Sequence, residues 1–308
     1  MASSHSAEDA DVTYHCKFFQ IHRNGVVRVH RPMRDRPDPP PSDPRYRIRF
    51  RDVVISQPDS VTARIFLPEP EPGSDSKLPV ILYIHGGGFC MLSPYAAQYH
   101  RYCTQLAAEA GALVVSVDYG LFPDRPIPAC YDDSWAALKW VAAHSSGSGP
   151  DPWLTRYADF NNVFIAGDSA GGNITHTLAL RVGLTGLHGA KVVGAVLVHP
   201  FFGGTEDDAI WLKMCPTNEG VDDPRMNPSE EDLAALGCEK VLIFVAEKDH
   251  LCEPGKRYYE KLMRSGWRGK VEMVENLGMQ HCFHIVQEVE DEHAAEMLRK
   301  VAAFVRGE

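Results

Sequence analysis

The heptapeptide Gly167-Asp168-Ser169-Ala170-Gly171-Gly172-Asn173 follows directly on the apolar run Asn162-Val163-Phe164-Ile165-Ala166. A buried strand that runs into Gly-x-Ser-x-Gly, and then into helix-forming sequence, constrains this chain more than any other feature. Such a turn is tight, so small residues are needed where strands come close. It holds a serine hydroxyl exposed above the end of a sheet. The pattern arises by chance in about one chain in ten of this length, so the rest of the sequence must supply its chemistry. A serine hydroxyl is a poor nucleophile unless a histidine takes its proton and a carboxylate orients that histidine.

The flanking sequence supports a sheet of the required kind. Pro79–His85, Ala112–Tyr119, Asn162–Gly167, Val192–His199, Val241–Ala246 and Val271–Val274 are nearly continuous apolar runs rich in Val and Ile, as in parallel strands buried on both faces. Arg47–Ile55 and Val61–Leu67 alternate polar and apolar residues, as in antiparallel strands at a sheet edge. Helical stretches are expected at about 97–110, 130–144, 170–184, 255–265 and 287–306. This alternation predicts an α/β fold with a mostly parallel central sheet flanked by helices, as one domain over residues 1–308. Function is then expected at the carboxyl ends of the strands.

Residues 17–30 read as a hairpin turning at Asn24-Gly25, a two-residue turn signal. Residues 32–44 carry six prolines among charges and read as a strap. Together, residues 1–45 are expected to contribute to a cap over the site.

A net charge of −10 argues against nucleic acid and anionic membranes as partners. No apolar run approaches the roughly 20 residues of a membrane helix. Met1–Asp9 lacks the basic and apolar regions of a secretory signal. The eight cysteines are therefore expected as reduced thiols in the cytoplasm. None has Cys-x-x-Cys spacing, so neither a metal site nor a redox pair is expected.

The partners of Ser169 follow in the order Ser, acid, His. The strand Val241–Ala246 leads into Glu247-Lys248-Asp249-His250-Leu251. Asp249 fits the acid position, with Glu247 and Glu253 as competitors. The last strand leads into Gly278-Met279-Gln280-His281-Cys282-Phe283-His284, where His281 and His284 compete as the base. A metal pair of these two histidines lacks the further ligands a site needs. The strand ending at Ile84 leads into His85-Gly86-Gly87-Gly88-Phe89. Glycines let backbone N–H groups turn toward a developing oxyanion. Gly86, Gly87 and Gly88 are the candidates, without a choice among them, and Ala170 N–H is a further donor.

The segments His85–Phe89 and Gly167–Asn173 resemble the hormone-sensitive-lipase-like branch of the α/β-hydrolases, and plant carboxylesterases most closely. The likeness covers nearly the whole chain. It implies an α/β-hydrolase fold with Asp249 as acid and His281 as base. It also implies a cytosolic, cofactor-free enzyme acting on short-chain or specialised-metabolite esters. Two other activities occur among such relatives. Gibberellin receptors lack the catalytic histidine, and 2-hydroxyisoflavanone dehydratases eliminate water.

The chain departs from the family pattern twice. Where the family has Asp-Tyr-Arg-Leu-Ala-Pro-Glu-His-Pro, Asp118–Pro126 places Gly120 at the arginine and Asp124-Arg125 at Glu-His. The segment Phe202–Leu236 is also short. A rearranged loop and a more open pocket are expected.

Overall fold

The computed structural model describes residues 11–33, 45–69, 76–286 and 291–308. Near the N-terminus, β1 (Val12–His15), β2 (Phe19–His22) and β3 (Val27–Val29) form an antiparallel sheet in that order. The expected hairpin is β2 and β3, turning at Gly25 with φ of +82°. The sequence reading missed β1, which adds a third strand. The proline-rich residues 34–44 lie outside the described residues, but Pro32 C=O accepts from Leu92 N–H at 2.9 Å.

The main sheet contains β4 (Ile48–Ser56), β5 (Val61–Pro68), β6 (Leu78–Ile84), β7 (Leu113–Asp118), β8 (Ala158–Asp168), β9 (Val192–Val198), β10 (Lys240–Ala246) and β11 (Lys270–Asn276). Its order is β11-β10-β9-β8-β6-β7-β5-β4. Pairing from β11 through β7 is parallel, whereas β5 pairs antiparallel with both β7 and β4. This is the α/β-hydrolase fold, with its alternating strands at the antiparallel edge.

Strand side chains alternate between two cores. Val80, Leu82 and Ile84 of β6 enter one, and Ile81 and Tyr83 enter the other. On the first face lie α2 (Ala129–Ala143), α4 (Ala170–Thr185) and α7 (Cys252–Arg264); on the second lie α1 (Ala97–Ala110), α8 (Phe283–Val286) and α9 (Glu292–Arg306). Short helices α3 (Pro152–Tyr157), α5 (Asp208–Met214) and α6 (Glu230–Ala234) occupy connections.

Two helix boundaries differ from expectation. Helix α7 starts at Cys252, because Pro254 stands in the first turn, where no intrahelical N–H is required. The expected helix 287–306 begins only at Glu292, capped by Asp291 accepting from Ala294 N–H at 2.9 Å. Residues 287–290 lie outside the described residues.

Candidate active site

Strand β8 ends at Asp168, and α4 begins at Ala170, leaving Ser169 alone at the corner. Its φ of 54° and ψ of −117° are unfavourable for a serine, a strain of about 1–3 kcal/mol. Ser169 N–H donates to Val198 O at 2.9 Å, and Ser169 O accepts from Phe201 N–H at 3.0 Å. The flanking glycines are needed for space. A Cβ at Gly171 would lie 2.0 Å from Ile84 O, and one at Gly167 would lie 2.5 Å from Gly171 O.

The loops after β10 and β11 bring Asp249 and His281, the expected acid and base, to this corner. His281 Nδ1–H donates to Asp249 Oδ2 at 2.6 Å, and Nε2 lies 2.9 Å from Ser169 Oγ. A carboxylate only accepts, so the proton sits on Nδ1, and Nε2 is free to receive the serine proton. Asp249 Oδ1 accepts from Leu251 N–H at 2.9 Å. Burial pushes the Asp249 carboxyl up, but His281 and the Leu251 N–H outweigh it and hold it below its usual range.

The competitors lie elsewhere. Glu247 accepts from Gly278 N–H, and Glu253 is exposed beside Lys256. His284 is buried and packs edge-to-face with Tyr102, with ring centroids 5.1 Å apart, and it is His281 that contacts Ser169. His199, which the sequence reading did not single out, accepts from Cys282 N–H at 3.0 Å and so fixes the backbone beside His281. Burial lowers its imidazole to about 3, which keeps it an acceptor. His199, His281 and Cys282 offer three ligand atoms within 4.8 Å of one another. Of these, His281 Nε2 faces Ser169 Oγ and His199 Nδ1 accepts from Cys282 N–H, whereas His199 Nε2 is buried without a hydrogen-bond partner among the described residues.

The glycine loop separates its three residues. Gly86 N–H donates to Tyr99 Oη at 2.8 Å. It is therefore committed, which corrects its inclusion among oxyanion donors. Among the described residues, none accepts from the N–H of Gly87, Gly88 or Ala170. Gly87 and Gly88 have φ of 107° and 57°, conformations that favour glycine. His85 does not face the cleft. It is buried and stacks on Tyr119 with centroids 4.3 Å apart; its Nδ1 donates to Gly86 O at 2.7 Å, and burial lowers it to about 4.

Asp168, inside the elbow motif, is a buried carboxylate beside the site that sequence reasoning passed over. It accepts from Tyr83 and Tyr99 hydroxyls at 2.8 Å each. An acidic residue closing a buried strand was the available signal, because buried carboxylates need partners.

A small cleft opens beside Ser169, walled by Phe18, Phe89, Phe201, Ile210, Trp211 and Met214. The short 202–236 segment thus supplies α5 as one wall, and the N-terminal sheet supplies Phe18. A Cβ on Gly88 would meet the Phe18 ring at 2.9 Å. Asp207 is the acidic group in the lining; it pairs with Lys17 and His250, each at 2.8 Å.

The altered loop at 118–126 is filled from its own sequence. Arg125 pairs with Asp133 at 2.6 Å, and Asp133 also accepts from Gly120 N–H at 2.8 Å. A Cβ at Gly120 would lie 2.4 Å from Arg125 Nε. The guanidinium of Arg125 therefore occupies the space beside the position where the resemblance expects an arginine.

Comparison with known proteins agrees with this architecture. The family described as alpha/beta hydrolase fold matches residues 81–285. The chain is 42% identical to tuliposide A-converting enzyme b1, amyloplastic, of Tulipa gesneriana, over 85% of this chain and 72% of that protein. It is 39% identical to probable carboxylesterase 5 of Arabidopsis thaliana, over 94% of this chain and 97% of that protein. Among solved structures, the Pyrobaculum calidifontis esterase superposes with a TM-score of 0.70 at 27% identity, covering 84% of this chain and 85% of that one.

Proposed function

This chain belongs to the α/β-hydrolase fold family, among its hormone-sensitive-lipase-like carboxylesterases, and on that premise we propose that it hydrolyses its ester through a serine-bound acyl intermediate. The observation that carries the proposal is the unbroken line Asp249–His281–Ser169, with contacts of 2.6 and 2.9 Å.

In the proposed route, His281 Nε2 takes the Ser169 proton as Oγ bonds to the ester carbonyl carbon. The carbonyl oxygen becomes an oxyanion held by the N–H groups of Gly87, Gly88 and Ala170, each worth about 3–4 kcal/mol. Asp249 steadies the imidazolium. The C–O bond to the alcohol breaks, and His281 returns the proton to the departing oxygen. Water then gives a proton to the same nitrogen, its oxygen attacks the acyl carbon, and Ser169 Oγ leaves with that proton. Every proton and charge in this route comes from the substrate, water or the chain's own groups, so no cofactor is invoked.

The substrate we infer is a small, uncharged ester of a specialised metabolite. The small cleft, walled mainly by aromatic and aliphatic side chains, suits a short acyl group. The tulip relatives are named for converting tuliposide A, and by that likeness a metabolite ester is the reading here. The eight cysteines, none in a disulfide, support a reducing compartment, and the cytoplasm is proposed.

The test is turnover of p-nitrophenyl esters of graded acyl length by the parent protein and by Ser169→Ala. The parent should favour short chains, and the variant should lose about 10⁵–10⁶ in kcat. A folded parent without ester turnover, but with hormone binding or dehydration of a flavonoid-like substrate, would replace this reading.

A further inference from the structure

We propose that Asp168 and Tyr99 are positioning residues that hold the oxyanion loop in register with the nucleophile. The inference rests on the serine-esterase reading above and assigns work to two residues outside its triad. Tyr99 belongs to α1, yet its hydroxyl sits between the loop after β6 and the elbow after β8. It accepts from Gly86 N–H at 2.8 Å and donates to Asp168 Oδ2 at 2.8 Å. Tyr83 holds the other carboxylate oxygen at 2.8 Å. Cys282, which follows His281, directs its Sγ to Asp168 Oδ2 at 3.6 Å. One buried carboxylate thus touches Ser169's own turn, the oxyanion loop through Tyr99, and the loop that carries the base.

The direction of these bonds is fixed. Burial and the charge of Asp168 push both tyrosine hydroxyls well above 10, so they remain donors. A hydroxyl that gives its one proton to Asp168 has only lone pairs for Gly86 N–H. That bond orients the Gly86 peptide, and through it the next two N–H groups, those of Gly87 and Gly88. The fit is close: a Cβ at Gly86 would lie 2.5 Å from Asp168 Oδ2 and 3.1 Å from Tyr99 Oη. An oxyanion donor displaced by a fraction of an ångström loses most of its value, because its strength depends on being aimed before charge develops.

Tyr99→Phe removes one oxygen and leaves the ring in place. Tyr83→Phe is the control, since it touches Asp168 without touching Gly86. Asp168→Asn, which keeps one carbonyl acceptor, is the second variant should the first fold poorly. We expect Tyr99→Phe to lower kcat 10- to 100-fold with KM within twofold. Its affinity for a trifluoromethyl ketone, which forms an oxyanion on Ser169, should fall by the same factor. Binding of the product carboxylic acid should hold, and Tyr83→Phe should lose less than fivefold. Asp168→Asn should fall between the two. Amide hydrogen exchange of the 85–91 peptide should quicken in Tyr99→Phe. Equal losses for ketone and product would make the residue merely structural and overturn the proposal, as would kcat within twofold of the parent. If the parent itself hydrolyses no ester, the esterase reading fails alone. Exchange at 85–91 then decides the pairing, and unchanged exchange in Tyr99→Phe would overturn it.

Discussion

Asp249 presents one carboxylate oxygen to His281, at 2.6 Å, and keeps the other for the backbone N–H of Leu251 at 2.9 Å. The Asp249 carboxylate is thereby fixed to its own loop while it holds the His281 ring. Asp249→Asn preserves the shape but can offer its NH₂ to the imidazole, favouring the wrong tautomer. The expected result is a loss of about 10⁴ in kcat with little change in Tm, read from steady-state kinetics and thermal melts.

Stability should fall in mild acid. Burial lowers His85 and His176 from an ordinary 6.5 to about 4, and His199 to about 3. The folded chain therefore refuses protons that the unfolded chain accepts. The stabilising difference is complete above pH 6.5, and it is lost progressively as pH falls toward about 4. Each group held from 6.5 to about 4 contributes about 3 kcal/mol. Urea unfolding at pH 7.5, 6 and 5 should show the decline, and His176→Asn should make it shallower. A flat profile would contradict the burial argument.

Gly120 and Gly171 should respond differently to alanine. At Gly171 the new Cβ meets the carbonyl of Ile84 at 2.0 Å, and a backbone atom of the central sheet has nowhere to go. Gly171→Ala should cost more than about 4 kcal/mol, at the exceptional end of single substitutions. At Gly120 the obstacle is the Arg125 side chain at 2.4 Å, which can swing aside and lose its Asp133 pairing. Gly120→Ala should cost about 1–2 kcal/mol, and less in an Arg125→Ala background, a coupling that a double-mutant cycle measures directly.

Phe18 and Met214 face the cleft from segments far apart in the sequence. Phe18→Ala should raise KM for a short p-nitrophenyl ester several-fold while kcat holds, the signature of lost uniform binding. Met214→Ala should shift the preferred acyl chain toward greater length, at a stability cost of about 2–5 kcal/mol for a buried side chain. Lys17→Ala should change stability by less than about 1 kcal/mol, because the partly exposed Lys17–Asp207 pair is screened by water.

The sequence was most legible where structure is local. The elbow, the buried strands and the loops that follow β6, β10 and β11 all announce themselves within a few residues. What stayed hidden depends on distant segments. The donor role of Gly86 turns on Tyr99, which arrives from another element, so no reading of the His-Gly-Gly-Gly motif could separate its glycines. Strand β1 is four residues alternating half-buried and exposed, and its support comes from pairing with β2 and from distant groups such as Lys213 over the Tyr14 ring. The compensation of Gly120 by Arg125 appears only once the loop folds back. Asp291, by contrast, was a visible cap signal for α9, and the apolar periodicity extended past it had no physical stop.

The seating of Phe18 against Gly88 has a consequence for where change is felt. A ring from the N-terminal sheet region lies where a Cβ on Gly88 would meet it at 2.9 Å, and the same ring walls the cleft beside Ser169. Whatever loosens the N-terminal sheet therefore also loosens that wall, so substitutions far from the central sheet are felt beside Ser169.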